Sequence, residues 1–197
     1  GKNISVESAM TDSEVSNAVE FGRIVGRNMA SLTDCLVIGE SIPGGTTTAL
    51  AVLRAFDFDA KTSSSIPTNP IKLKNEVVNS ALKRIDSDHP YSILAKVGDP
   101  MIAFVAGMLS SASAVSKVML AGGTQMTAVL AFASKIGFNE ENTAIGTTSY
   151  ITNDQNANFT NLVKQIADIP AISVNPGLNY SKYSGLKAFS EGFAKEG

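Results

Sequence analysis

The chain places a carboxylate directly ahead of a run of glycines and hydroxyls, in Gly39-Glu40-Ser41-Ile42-Pro43-Gly44-Gly45-Thr46-Thr47-Thr48. Glycines let backbone N–H groups approach an oxyanion, and a helix starting at the threonines adds its partial positive charge. The hydroxyls supply further donors, so Gly44, Gly45, Thr46 and Thr47 are candidates for holding a phosphate. The same residues would also suit a plain tight turn between a strand and a helix. The Gly-Lys-Ser/Thr ending of a Walker A loop is missing, which disfavours an ordinary ATPase. Glu40 sits between a buried strand and this loop, where a carboxylate is costly to desolvate unless it is paired or used. It is therefore a candidate catalytic residue. Two plainer loops, Gly122-Gly123-Thr124-Gln125 and Gly146-Thr147-Thr148-Ser149, make Gly122, Gly123, Gln125, Gly146 and Thr147 weaker candidates for substrate contact.

Other chemistries lack parts. Cys35 is the single cysteine and His89 the single histidine, too few for a histidine-based triad or a thiolate metal site. Cys35 lies in the apolar run Cys35-Leu36-Val37-Ile38 and reads as a small buried hydrophobe, while His89, before Pro90, reads as part of a solvated turn. The formal net charge of -2, with acids and bases interspersed, offers no basic stripe for nucleic acid or an anionic membrane. No stretch approaches the roughly 20 apolar residues of a membrane span, and the first residues do not resemble a signal peptide. The expectation is a cytosolic, globular protein with a small-molecule partner.

The elements that must carry these loops repeat. Val15, Ala18, Val19, Gly22, Val25 and Met29 trace one face of a helix over 14–29, expected to pack on a sheet. Cys35–Ile38 reads as a strand buried on both faces, and residues 49–56 as the helix after the Gly-Thr loop. Asn69-Pro70 reads as an N-cap with proline at the first helical position, ahead of Ile71, Val78, Ala81, Leu82 and Ile85. Asp99-Pro100 repeats the signal for a helix to about Ser113. Strands at Val118–Ala121, Thr143–Ile145 and Ala171–Val174 follow, with helices after the first two, one capped by Gly137 and one built on Phe159, Leu162, Val163 and Ile166. Alternating strands and helices predict an α/β fold: a doubly wound, mostly parallel, Rossmann-like sheet with helices on both faces. Ligands of such sheets bind beyond the carboxyl ends of the strands, where these loops fall.

The motif Gly39-Glu40-Ser41-Ile42-Pro43-Gly44-Gly45-Thr46-Thr47-Thr48-Ala49 resembles the glycine-threonine loop of the nicotinate-nucleotide:dimethylbenzimidazole phosphoribosyltransferase family, and its archaeal and cyanobacterial relatives more closely still. Ser63-Ser64-Ser65, Asn69-Pro70, Gly98-Asp99-Pro100-Met101, Leu120-Ala121-Gly122-Gly123-Thr124-Gln125-Met126 and Ile145-Gly146-Thr147-Thr148 continue the resemblance over most of the chain. By local pattern Glu196 would be a solvated terminal residue. The family's glutamate base lies in a Glu-Gly-x-Gly element, however, and Lys195-Glu196-Gly197 resembles its first half, in register after Ser184-Gly185-Leu186.

The resemblance implies transfer of ribose 5-phosphate from nicotinate mononucleotide to a benzimidazole nitrogen, usually by a homodimer. It implies one phosphoribosyltransferase domain over 1–197, incomplete at both ends. It assigns the base to Glu196, leaves Glu40 to orient groups or stabilise charge on the ribose, and points to a phosphate lysine for which Lys72 or Lys74 is nearest. Ser181 and Ser184, before a helix, are further phosphate candidates or plain helix caps. The pyridinium of the donor is already a good leaving group, so no metal or cofactor is expected. The rivals are a non-catalytic nucleotide-binding relative and another nucleotide-dependent α/β enzyme, a kinase or dehydrogenase.

Overall fold

The computed structural model describes residues 1–42, 44–64, 68–191 and 193. Its first helix, α1 (Asp12–Ala30), opens one turn before the apolar periodicity because Thr11 and Glu14 form a capping box: the Thr11 hydroxyl accepts the Glu14 N–H and the Glu14 carboxylate accepts that of Thr11. Strand β1 (Cys35–Gly39) leads to α2 (Gly45–Ala55), followed by α3 (Ile71–Leu82), α4 (Pro90–Val97) and α5 (Pro100–Ala112). Then come β2 (Lys117–Ala121), α6 (Thr124–Ile136), β3 (Thr143–Thr148), α7 (Ser149–Thr152), α8 (Phe159–Ile166), β4 (Ala171–Val174) and α9 (Ser184–Ser190). Among the described residues no helix is long and apolar enough to cross a membrane.

The four strands form one parallel sheet in the order β1-β2-β3-β4, as the alternation of elements predicts. Each strand is added on the same side of the last, and right-handed crossovers then put the connecting helices on one face. Burial follows that face: Leu36, Ile38, Val118, Leu120 and Ile145 are buried, and α2, α6 and α8 bring Leu53, Leu130, Phe132 and Leu162 to the same core. Among the described residues the helices thus cover one face of this parallel α/β sheet, where a doubly wound arrangement covers both. On the other face Val37 is 60% exposed, so β1 alternates instead of being buried on both sides. Cys35 faces solvent for the same reason, contrary to its reading as a buried hydrophobe.

Helix α1 does not lie on the sheet as its apolar stripe suggests; it packs along α5. Gly22, Gly26 and Gly107 allow this. A Cβ on Gly22 would strike the carbonyl oxygen of Phe104, one on Gly107 that of Val19, and one on Gly26 would come within 2.5 Å of the Met108 oxygen. The buried stripe is therefore Val15, Val19, Gly22, Gly26 and Ala30, with Val25 and Met29 turned outward. Asp99 caps α5 as expected, accepting the Ile102 N–H at 3.0 Å with Pro100 in the first turn. Asn69 does not cap α3: Pro70 holds the cap position, and the Asn69 amide instead donates to the Thr62 carbonyl, leaving Ile71 exposed. Helix α4, after His89 at its N-cap, falls where the sequence reading saw only a turn. His89 itself is exposed, as that reading expected.

Because the α1–α5 contact runs backbone to backbone, a single methyl at its centre forces the helices apart. Gly107→Ala is expected to lower stability by about 1–3 kcal/mol. Gly185→Ala, where nothing lies within 4 Å of the added carbon, should stay within about 0.5 kcal/mol of the parent. Urea denaturation of the two variants checks this; equal midpoints would contradict the close-packing account.

Candidate functional site

Parallel strands put their carboxyl ends on one rim, and there the loops after β1 and β2 meet. Gly44 is the N-cap of α2 at φ +75°, a left-handed conformation in which a side chain would be strained although the space around it is open. Among the described residues α2 therefore starts without a side-chain cap, and its first turn carries no acid. Thr46 and Thr47 belong to that turn, Thr47 half-buried. An uncapped helix start presents unsatisfied N–H groups and a partial positive charge, the arrangement that favours an anion.

Three side chains from elsewhere fix this start. The Thr48 hydroxyl lies 2.5 Å from Oδ2 of Asp99 and 3.0 Å from the Gly45 carbonyl, so the buried Asp99 ties the start of α2 to that of α5. The Thr62 hydroxyl donates to the Thr46 carbonyl at 3.1 Å. From α6, Gln125 donates through Nε2 to Oε2 of Glu40 at 3.0 Å, with the Ile42 carbonyl 3.5 Å away. Glu40, half-buried, also accepts the Ile42 N–H at 3.0 Å on that oxygen. Gly45 lies beneath the Gln125 amide: a Cβ there would meet Ile42 Cγ2 at 2.9 Å and Gln125 Cδ at 3.0 Å. Glycine at 45 thus makes room for a protein side chain.

Of the two candidate lysines, Lys72 is exposed and Lys74 buried. Lys74 Nζ donates to the Ser63 carbonyl at 2.6 Å, and Ser63 Oγ pairs with Thr124 Oγ1 at 3.2 Å. The loop at 62–64 therefore bridges the starts of α2 and α6, with Lys74 beneath it. Lys74 lines a cavity of about 300 Å³ with Arg54, Lys61, Thr62, Asn69 and Asn156. Burial holds its pKa down to about 8, against an opposing pull from Asp154.

The remaining candidates are dispersed. Gly122 donates its N–H to the Gly146 carbonyl at 2.9 Å, and Gly123 is the N-cap of α6. Strand β3 runs to Thr148, so Gly146 and Thr147 lie within the strand rather than in a rim loop. Thr147 Oγ1 is buried without a hydrogen-bond partner among the described residues. Ser181 Oγ accepts the Tyr183 N–H at 3.1 Å and Ser184 is the exposed first residue of α9, which packs mainly on the turn at Leu178–Tyr180. No hydrogen bond among the described residues joins either serine to the Gly-Thr loop. Glu196 lies outside the described residues, as do Pro43 and Ser65. Among the described residues no group of three or more His, Cys, Asp or Glu is placed to hold a metal ion.

The buried Lys74 has a consequence for stability. Its folded pKa of about 8 lies below the ordinary 10.5, so between these values the unfolded chain binds more protons and stability rises with pH. The burial penalty is complete below pH 8 and relieved as pH climbs toward 10.5. Relative to Lys74→Met, the parent should therefore gain stability between pH 8 and 10.5, by urea denaturation at several pH values. A pH-independent difference would mean Lys74 titrates normally.

Residues 1–150 match the model of a family described as phosphoribosyltransferase (DBI_PRT). A UPF0284 protein of Archaeoglobus fulgidus is 43% identical over 197 residues, covering 100% of this chain and 56% of that protein. One of Methanosarcina acetivorans is 38% identical over 205 residues, covering 100% and 58%. The chain thus spans little more than half the length of these relatives. A crystal structure of nicotinate-nucleotide-dimethylbenzimidazole phosphoribosyltransferase from Thermus thermophilus is similar with TM-score 0.69 at 20% identity, over 87% of this chain and 51% of that one. The crystal structure of CobT from the same organism gives TM-score 0.72 at 20% identity, over 87% and 52%. At 20% identity this likeness speaks for the fold, an α/β architecture on a parallel sheet; the match over residues 1–150 shows that the chain belongs to the phosphoribosyltransferase family.

Proposed function

We propose that the complete protein transfers ribose 5-phosphate from nicotinate mononucleotide to 5,6-dimethylbenzimidazole or a related base, giving nicotinate and the α-linked lower-ligand nucleotide of cobamides. The observation that carries this reading is a carboxylate, Glu40, held beside the uncapped start of α2 in a chain of this family. The α2 start, with Gly44, Gly45, Thr46 and Thr47, takes the phosphate. Lys74 adds positive charge from behind the 62–64 loop. Ser181 and Ser184, in the loop before a helix, are assigned to the same phosphate, Lys72 only as a solvated alternative, and Gly122, Gly123, Gly146 and Thr147 to the walls of the substrate site.

The reaction is a displacement at the anomeric carbon. The bond from C1′ to the pyridinium nitrogen breaks with its electron pair going to that nitrogen, which releases nicotinate. The bare azole nitrogen of the incoming base forms the new bond on the opposite face, turning a β-linked nucleotide into an α-linked one. As cationic character builds on the azole, its other N–H proton passes to a carboxylate, assigned to Glu196. Glu40 faces the ribose, where a carboxylate stabilises developing positive charge. Phosphate binding fixes the sugar for in-line attack. The protein acts as a cytosolic homodimer.

Mass spectrometry of products from the complete protein, nicotinate mononucleotide and dimethylbenzimidazole tests the reading. An α-linked nucleotide with one nicotinate per turnover is expected; no transfer to any benzimidazole or purine base would overturn it. Glu196→Gln should cost roughly 10²–10⁴ in turnover with nucleotide binding little changed, the span of a positioned general base. Near-normal turnover would return the base assignment to Glu40. Sedimentation should show a dimer; monomer at every concentration would remove that part of the proposal.

A further inference from the structure

Gln125 enters α6 at the second residue of the helix, straight after Gly122-Gly123-Thr124, and its side chain crosses to the loop after β1. Its nitrogen donates to Glu40 Oε2 at 3.0 Å and has the Ile42 carbonyl at 3.5 Å, while the Ile42 N–H donates to the same Glu40 oxygen. The amide nitrogen thus has two protein acceptors within reach, Glu40 the nearer. The amide also lies on the α-carbon of Gly45, whose Cβ, if present, would displace it. We propose that Gln125 is a positioning residue that sets the Glu40 carboxylate at the mouth of the Gly44–Thr48 loop, and that residue 45 is glycine to admit it. The role of Glu40 in transfer rests on the function proposed above; the clamp itself does not.

Two N–H donors on one carboxylate oxygen favour its ionised form and fix its direction. A shape-matched residue without donors removes one of them. Gln125→Met should therefore lower kcat by roughly 10–100-fold, the range seen when an outer hydrogen-bond partner of a functional group is lost, with the nucleotide KM changed by no more than about threefold. Gln125→Glu sets a second carboxylate against the first and should move the acid limb of the pH–rate profile upward.

A readout independent of activity is the carbon-13 titration of the Glu40 carboxyl in the complete protein. Measured against the parent, each variant's midpoint reports the change in the bonds that Gln125 makes to it. The midpoint should rise in Gln125→Met and more in Gln125→Glu. Gly45→Ala, which pushes the amide away while keeping Gln125, should raise it as well and serves if a Gln125 variant fails to fold. An unchanged midpoint in all three variants would overturn the clamp. So would a nucleotide KM raised more than about tenfold with kcat retained, which would place Gln125 on the substrate. If the parent protein transfers nothing, the proposed function fails while the titration still decides the clamp.

Discussion

The start of α2 carries backbone N–H groups that no side chain of its own turn satisfies, because Gly44 occupies the cap in a left-handed conformation. A helix start left open in this way is useful only if it is held still, and the holding comes from distant parts of the chain. Asp99, at the start of α5, takes the Thr48 hydroxyl; Thr62 takes the Thr46 carbonyl; Gln125 lies across Gly45. Each of these contacts links residues at least 16 positions apart, so the rim is organised by tertiary packing and not by the local loop.

That organisation depends in turn on where α5 sits. Its backbone meets α1 directly at Gly22, Gly26 and Gly107, and Asp99 at its first turn is 5% exposed, where a carboxylate needs the Thr48 hydroxyl and the Ile102 N–H to be tolerated. Lys74 illustrates the same economy of partners on the other side of the rim. Buried under the 62–64 loop, it satisfies a backbone carbonyl that faces away from water, and its depressed pKa is the cost of that burial. The polar network around the site is therefore stabilised and strained by the same desolvation.

Much of the frame is legible in the sequence because it rests on local signals. The strands Val118–Ala121 and Ala171–Val174, the Asp99-Pro100 helix start and the Gly137 cap all follow from apolar runs and capping residues, and Glu40 stands out as a carboxylate next to a buried strand. What escapes is set by partners far along the chain. Asn69 looks like a cap but is drawn to the Thr62 carbonyl; Gly26 and Gly107 look like ordinary helix glycines until the opposing backbone is in view. Cys35 and Val37 read as buried on composition, yet the alternation of a strand with one covered face turns them outward. Gln125 gives a weak signal as a polar residue after two glycines and a threonine, and its reach to Glu40 is visible only once α6 and the loop after β1 are brought together.

In the proposed reaction the α2 start seats the phosphate and Glu40 faces the sugar. A crystal structure of the complete protein with nicotinate mononucleotide bound tests this most directly. It should place phosphate oxygens within about 2.7–3.2 Å of backbone N–H groups in the first turn of α2, with the ribose between that turn and the Glu40 carboxylate. A phosphate bound on another face of the sheet, with the α2 start left to water, would contradict it.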